Sequence, residues 1–303
     1  YPSSPFAQKI RSVLGFKQLA WKSVIIPSIS PKPDLVALTG GYRKTPVLQV
    51  GADIYCDTAL ISDLLEQMTP TPTLYPEAVK GAARIVAQWA DTSVFPVAMA
   101  YNFQPSGAAH VLAGWNPEDI KVFVQDRAMM RGGAPRMPPA DAEGMYRSYL
   151  RRLANMLDHH PFLMGDAPSI ADFSAYHSTW YTLRIVAPLA GIFDATPNVR
   201  AWIERMEKFG HGAHTEISSK QSLEIANMAT PVDVSKEPFI DLHGIALGSK
   251  VVITAESFGL EPTHGELMAA TRTRITVRRH DERAGTVHVH FPRVGFIMKK
   301  DES

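Results

Sequence analysis

The opening segment, from Tyr1 to Phe6, constrains this chain most, because it indicates a loop that runs directly into a helix. Ser4 is a suitable N-cap residue, and Pro5 suits the first helical position. A helix start offers unpaired backbone N–H groups and the positive end of a dipole, which together favour an anion such as a thiolate. The Ser4 hydroxyl therefore either caps the helix alone or also donates a hydrogen bond to a bound thiolate.

The helix predicted after this segment is amphipathic, so one side is expected to face a core. Its apolar stripe is predicted to consist of Ile10, Val13 and Leu14. Its other faces are predicted to carry the polar residues Lys9, Arg11 and Ser12.

Composition is that of an ordinary globular protein. The chain has 303 residues, enough for two or three domains, of which 45% are apolar and 20% are charged. A net charge of +1 gives no strong electrostatic field that would attract nucleic acid or a membrane surface. No signal peptide is expected, and the sequence shows no apolar run long enough to span a bilayer. Its single cysteine, Cys56, is expected to be a small buried hydrophobe in a reducing compartment, the cytoplasm.

Residues 1–74 are predicted to form a first domain in the order helix, strand, helix, strand, strand, helix. A β-branched run over residues 21–27 and the segment Thr45 to Val50 indicate strands. A short helix is predicted after Pro33. A turn and a return strand lead to Asp57-Thr58, which opens the last helix of this domain.

These motifs resemble the N-terminal domain of the glutathione S-transferase family, which has the thioredoxin fold. The resemblance rests on Ser-Pro-Phe before the first helix, Thr-Pro-Val-Leu entering a strand, and Asp57-Thr58 at a helix start. It implies that glutathione binds here as co-substrate, without a metal. It also implies that Ser4, with Ser3 as a neighbouring candidate, is the catalytic residue. The absence of cysteine at this position argues against thioltransferase chemistry.

The same resemblance assigns the middle of the glutathione site. Pro46 is implied to be a cis-proline. The family's main-chain contact with the tripeptide falls on Val47, while Thr45 lies on the other side of the proline. Asp57-Thr58 is implied to hold the γ-glutamyl end, with aspartate where many members have glutamate.

The remaining candidates lie at the two ends of the tripeptide. Phe6 and Lys44 are implied as glutathione-binding residues. Lys44, Lys32 and Arg43 can meet the glycyl carboxylate, although isolated surface cations are more commonly solvated. Because family members have a strand before the Ser-Pro-Phe turn, we expect a few residues of the protein to precede Tyr1.

Residues 75–218 are predicted to form a second, all-helical domain after a proline-rich linker. The capping box at Ser169 and Asp172, which follows a glycine-containing turn, resembles the best-known stretch of the family's helical-bundle C-terminal domain. This motif is implied to serve folding, not chemistry. Further helices are predicted over 78–100, from Pro117 to near Arg131, over 140–160 and over 197–209.

The helical domain is also implied to supply an apolar wall for the second substrate. The candidates, which are more commonly core residues, are Met99, Tyr101, Phe103, His110 and Trp115. The pair His159-His160 is not assigned to a metal, because no second pair at ligand spacing accompanies it.

Residues 219–303 are predicted to form a connector and a small β-rich domain beyond the family's usual end near Phe209. Turn signals about every ten residues predict five short strands in a small antiparallel, barrel-like appendage. His288 and His290 are predicted on the solvent-facing side of one strand, with metal binding as the less favoured alternative. Acidic residues dilute the basic ones here, which indicates a solvated surface and no nucleic-acid site.

The sequence therefore predicts a multidomain, cytoplasmic protein resembling glutathione S-transferases, and the resemblance implies a homodimer. The predicted reaction is attack of the glutathione thiolate on a hydrophobic electrophile. Glutathione-dependent isomerisation or peroxide reduction would use the same site. The alternative is a non-catalytic protein of this fold whose C-terminal β domain binds a partner.

Overall fold

The computed structural model describes residues 1–302. The helices are α1 (Pro5–Phe16), α2 (Pro33–Thr39), α3 (Thr58–Met68), α4 (Lys80–Trp89), α5 (Phe95–Asn102), α6 (Pro105–Val111), α7 (Pro117–Met130), α8 (Pro139–Met156), α9 (Ile170–Trp180), α10 (Pro197–Glu207) and α11 (Ser219–Met228). The strands are β1 (Ala20–Ser23), β2 (Val47–Val50), β3 (Asp53–Cys56), β4 (Ala213–Glu216), β5 (Lys250–Ala255), β6 (Thr263–Ala270), β7 (Arg274–Asp281), β8 (Gly285–Pro292) and β9 (Phe296–Lys300). Two π-helical segments, Ala90–Val94 and Tyr181–Ile185, and a 3-10 helix, Ala187–Phe193, complete the regular structure.

The N-terminal part follows the predicted order of helix, strand, helix, hairpin and helix. Ser4 caps α1, because its hydroxyl oxygen accepts the N–H of Ala7 at 3.3 Å. Asp57 caps α3 with a φ of 76°, and its Oδ1 accepts the N–H of Ala59 at 2.9 Å. The Thr45–Pro46 peptide bond is cis, as the resemblance implied. Both helix starts and the proline bend therefore form where the sequence predicted them.

Packing around α1 buries more than its predicted apolar stripe. Ile10, Val13 and Leu14 are buried as predicted. Lys9 and Ser12, which were predicted on the other faces, are buried as well. The reason is that α1 packs against α9 on one side and α3 on another, which leaves little of its surface to solvent.

The strand predicted over residues 21–27 is shorter in the structure, where it is β1. It pairs in parallel with β4, from Ala20↔Ala213 to Ser23↔Glu216. The sequence did not predict β4, because its four residues are all exposed and show no alternation of apolar and polar side chains. This small sheet ties the first strand to the end of the helical part.

The helical part, α4 to α10, surrounds α9, whose residues from Ile170 to Thr179 are all buried. The capping box of Ser169 and Asp172 is present as predicted. Asp172 Oδ1 also accepts hydrogen bonds from the Leu163 N–H at 2.8 Å and from Trp202 Nε1 at 3.0 Å. The motif therefore fixes both the turn before α9 and the packing of α10, which is a folding role.

The five predicted C-terminal strands are present, and they continue the sheet of the N-terminal hairpin. The sheet has seven strands in the order β2-β3-β8-β7-β6-β5-β9. All pairs are antiparallel except β3 with β8, which pair in parallel from Asp53↔His288 to Tyr55↔His290. Without β8, the edge of β3 would present unpaired backbone groups. The strand-rich region thus shares one sheet with the thioredoxin-like part.

Two separate cores hold the chain together. The first lies between α1, α3 and the helical part and includes Phe173, Tyr176 and Trp202. The second lies between the seven-stranded sheet and the helices α2 and α11 that cover it. Cys56 is buried in this second core, as predicted, and burial raises the pKa of its thiol.

His288 and His290 are buried, so their prediction as solvent-facing residues was wrong. His290 Nε2 lies 2.8 Å from Asp53 Oδ1, and its Nδ1 lies 2.9 Å from the hydroxyl of Thr276. The imidazole ring of His290 also stacks on Tyr55, with 4.4 Å between ring centroids. The polar contact of His290 between β3 and β8 is therefore internal, and both of its ring nitrogens have hydrogen-bond partners.

We predict that protonation of His290 destabilises the fold. Burial lowers the pKa of His290 below its ordinary value of 6.5. As pH falls from 7.5 to 5, the unfolded chain takes up this proton first, so the free energy of unfolding should decrease, by up to about 1.4 kcal/mol per pH unit for one proton. Urea titrations at several pH values should show a smaller decrease for His290→Gln than for the wild type.

His280→Gln, at an exposed histidine on β7, controls for the substitution itself. Buried histidines and acids that do not face His290, as Asp53 and His288 do, titrate alike in both proteins and cancel in the comparison. Equal pH dependence of the wild type and His290→Gln would contradict the prediction.

Candidate functional site

The start of α1 carries the first element of the site. The hydroxyl oxygen of Ser4 accepts the Ala7 N–H, so its own proton remains free to be donated. The preceding turn is held by the Ser4 N–H, which donates to the Tyr1 carbonyl at 3.2 Å, and by Arg11, which donates to the Pro2 carbonyl at 2.7 Å. Ser4 is 2% exposed, whereas the neighbouring candidate Ser3 is exposed.

The second element is the bend at Pro46 together with the start of α3. Val47 follows the cis-proline Pro46. Across the hairpin it pairs with Cys56, which directly precedes Asp57. Burial raises the pKa of Asp57, although the Ala59 N–H and the charge of Lys44 oppose that rise. The Asp57 carboxylate and the Thr58 hydroxyl therefore lie together at the start of α3, beside the strand β2 that follows the bend at Pro46.

Lys9 links α1, to which it belongs, to the start of α3. Its Nζ donates to the Thr58 hydroxyl oxygen at 3.0 Å and to Asp91 Oδ2 at 2.6 Å. Because the Thr58 oxygen accepts this bond, the Thr58 proton is available to another acceptor. Lys9 therefore orients a hydroxyl at the start of α3 through a side chain that is itself buried in α1.

Asp91 anchors this network in the helical part. It lies in the π-helical segment between α4 and α5, and it also contacts His177 Nε2 at 3.0 Å and the Ser174 hydroxyl at 3.3 Å. Burial alone would raise the pKa of Asp91, but the charge of Lys9 and the bond to His177 outweigh it and lower this pKa. Burial lowers the pKa of His177.

The sequence contained one signal for this network. Lys9 lies four residues from Pro5 and four from Val13, which are both buried, so a charge stands on an apolar helix face. Its partner Asp91 lies 82 positions further along the chain, and no local pattern connects Asp91, or the His177 that Asp91 contacts, to Lys9.

Charged side chains cluster where the N-terminal part, α7 and the C-terminal region meet. Arg43 Nη2 donates to Asp126 Oδ1 at 2.8 Å, and Arg43 Nε lies 3.2 Å from Glu261 Oε1. Arg127 also contacts Asp126. Lys32 donates to the Arg43 carbonyl at 3.4 Å, and burial with repulsion by Arg127 and Arg43 lowers its pKa to about 8. Lys32 and Arg43 are thus buried, and their expected solvation was wrong.

Lys44 lies on the same side of the hairpin. Its Nζ is 5.5 Å from the ring centroid of Tyr42 and 5.3 Å from that of Phe296 in β9. Burial lowers the pKa of Lys44, while the charge of Asp57 opposes this effect. The cation therefore rests on aromatic rings from two parts of the chain.

The residues predicted to form an apolar wall do not all lie together. Phe103 stacks on Phe123 at 6.1 Å and on Tyr181 at 6.3 Å, and Trp115 meets Phe123 edge-on at 5.7 Å. Met99 and Tyr101 belong to the first core instead, and His110 is exposed. Phe6 packs between Phe95 and His177, beside the buried network. The aromatic cluster thus includes Phe123 and Tyr181, which the sequence did not single out.

Two kinds of feature are absent from residues 1–302. No group of three or more histidine, cysteine, aspartate or glutamate side chains is arranged to hold a metal ion. None of the described helices combines the length and the apolar character needed to cross a bilayer.

We predict that Lys9→Met strongly destabilises the protein. Removing the ammonium leaves Asp91 charged inside the fold without its closest cation, which typically costs about 3–5 kcal/mol. The double variant Lys9→Met/Asp91→Asn should lose less than the sum of the two single variants, because it leaves no unpaired charge. Urea unfolding measures all three.

Lys80→Met is the matched control, since Lys80 pairs with Glu77 on the exposed surface and should change stability by less than about 0.5 kcal/mol. Additive effects of the Lys9 and Asp91 substitutions would contradict the pairing.

Comparison with known proteins gives consistent results along the chain. The family models for the N-terminal and C-terminal domains of glutathione S-transferases match residues 1–73 and 135–205. Among curated proteins, none matches this chain significantly.

Solved structures extend the comparison. A glutathione S-transferase from Rhodospirillum rubrum F11 is 18% identical, with a TM-score of 0.50, over 68% of this chain and 85% of that chain. Gtt2 from Saccharomyces cerevisiae is 19% identical, with a TM-score of 0.50, over 68% of this chain and 93% of that chain. At these identities the two structures show a shared fold alone.

One solved structure is similar through the C-terminal strands as well. The GST-like protein from Pseudomonas syringae is 43% identical, with a TM-score of 0.83, over 99% of this chain and 97% of that chain. The C-terminal strand region is therefore included in the similarity. Given this identity over nearly the whole length and the two domain matches, the chain belongs to the glutathione S-transferase family.

Proposed function

We propose that this protein is a glutathione transferase in which Ser4 stabilises the glutathione thiolate. The observation that carries the proposal is the hydrogen bonding of Ser4 at the start of α1. Its oxygen accepts the Ala7 N–H, so its proton is free for a sulfur, and the helix start adds a favourable field. Both effects lower the thiol pKa, and the resulting thiolate attacks the electrophile.

The turn before Ser4 has to move for this contact. Ser4 is 2% exposed, so a sulfur reaches its hydroxyl only after a local movement, which we propose is a shift of the segment Tyr1 to Ser3. Two hydrogen bonds hold this turn, from the Ser4 N–H to Tyr1 and from Arg11 to Pro2. Both can break without disturbing the helix that Ser4 caps.

The γ-glutamyl end is proposed to lie at the start of α3. The Asp57 carboxylate suits the amino group, and the Thr58 proton, which Lys9 leaves free, suits the carboxylate. The backbone of Val47 is proposed to bind the cysteinyl unit, with Thr45 on the other side of Pro46. Lys44 is proposed to meet the glycyl carboxylate.

The second substrate is proposed to be a hydrophobic electrophile on the aromatic cluster of Phe103, Trp115, Phe123 and Tyr181. Arg127 lies over the Phe123 ring at 4.6 Å, so an apolar group and a cation stand side by side there. Isomerisation or peroxide reduction with glutathione would need the same thiolate. No observation favours the alternative of a non-catalytic binding protein.

A cytoplasmic location and a homodimer are further parts of the proposal. The buried thiol of Cys56, with no second cysteine in the sequence, suits a reducing compartment. The homodimer rests on the family resemblance.

Titration calorimetry with glutathione should separate the proposed roles. Asp57→Ala should weaken binding at least tenfold, because a buried amino group would lose its carboxylate partner. Ser4→Ala should leave affinity within about threefold of the wild type but raise the pKa of the bound thiol, measured by thiolate absorbance against pH.

Asp233→Ala is the control, since Asp233 is an exposed aspartate in the connector after α11. No heat and no thermal shift with millimolar glutathione for the wild type would refute the proposed function.

A further inference from the structure

The loop between β5 and β6, residues 256–262, reaches out of the C-terminal sheet toward the proposed glutathione site. We call it the 256–262 loop. Most of its residues are exposed, but Gly259 at its centre is buried. Gly259 has a φ of +73°, a backbone conformation that side chains other than glycine rarely adopt.

Gly259 lies directly against Lys44 and Met130. A Cβ atom at this position would meet Lys44 Cγ at 3.1 Å, Lys44 Cδ at 3.3 Å and Met130 Cε at 3.3 Å. The glycine N–H donates to the Met130 carbonyl at 2.8 Å. The 256–262 loop therefore packs between the segment that precedes β2 and the end of α7.

Neighbouring residues of the loop strengthen both contacts. Glu261 Oε1 lies 3.2 Å from Arg43 Nε, next to the bond between Arg43 and Asp126. Leu260 packs on Gly132 just beyond α7, where a Cβ would meet Leu260 Cδ1 at 3.0 Å.

The strand β9 completes the enclosure of Lys44. The ring of Phe296 in β9 lies 5.3 Å from Lys44 Nζ. The aliphatic stem of Lys44 therefore packs on the 256–262 loop, and its ammonium lies over the rings of Tyr42 and Phe296.

We propose that the C-terminal strand region is a positioning element of the glutathione site, with Gly259 and Phe296 as the residues that aim Lys44 at the glycyl carboxylate. This inference rests on the proposed function. It gives the C-terminal region a role in substrate recognition.

The test combines two substitutions with two ligands in calorimetric titrations of the full chain. Gly259→Ala pushes the Lys44 stem away, and Phe296→Leu removes the ring but keeps an apolar side chain. The ligands are glutathione and γ-glutamylcysteine, which lacks the glycyl unit. We expect both variants to bind glutathione at least fivefold more weakly, and γ-glutamylcysteine within about twofold of the wild type.

Gly244→Ala is the matched control. Gly244 belongs to the same region and has a φ of +66°, but a Cβ there would meet no atom within 4 Å. It therefore shares the backbone strain of Gly259→Ala without the contact, and it should bind both ligands as the wild type does.

The outcomes separate the two proposals. If Gly259→Ala and Phe296→Leu bind glutathione like the wild type, or lose both ligands equally, the positioning role is overturned and the proposed function stands. If the wild type binds neither ligand, the proposed function falls and this inference falls with it. Phe296→Leu alone decides the matter if Gly259→Ala does not fold.

Discussion

The rest of the structure depends on the parallel pairing of β3 with β8. This pairing joins residues 53–55 to residues 288–290, so the two ends of the chain share one sheet. A buried hydrogen bond between His290 and Asp53 crosses the same seam at 2.8 Å. The second core follows from it, because α2 and α11 can bury one face of the sheet only when both sets of strands are present. The C-terminal strands are therefore part of the body that carries the proposed site.

The proposed site lies where three parts of the chain meet, and each part contributes a charged side chain or a ring. Lys9 connects α1 and α3 to Asp91 in the helical part. Arg43 connects the hairpin to Asp126 in α7 and to Glu261 in the C-terminal region. Such buried pairs cost desolvation free energy and add little net stability, but removing one partner is expensive. They therefore fix the relative placement of the three parts more than they stabilise them.

Local signals predicted much of this fold. The cap residues Ser4 and Ser169, the prolines at helix starts and the glycine turns of the C-terminal region marked most elements correctly. Pairing across the chain leaves no local pattern, so the joining of β3 and β8 was not predictable. Alternation showed that His288 and His290 share a face, but alternation does not tell which face is buried. The division at residues 74 and 218 and the roles of the site residues stay predictions.

Native-state hydrogen exchange tests the central claim, that the C-terminal strands and the N-terminal hairpin form one cooperative unit. The measurement is the opening free energy of hydrogen-bonded amides in β3 and β8 as urea increases. The account predicts that both strands exchange through the same opening, with equal free energies and equal urea dependence. Exchange of β8 through a lower-energy opening that leaves β3 protected would contradict it, and would make the C-terminal region a separable attachment.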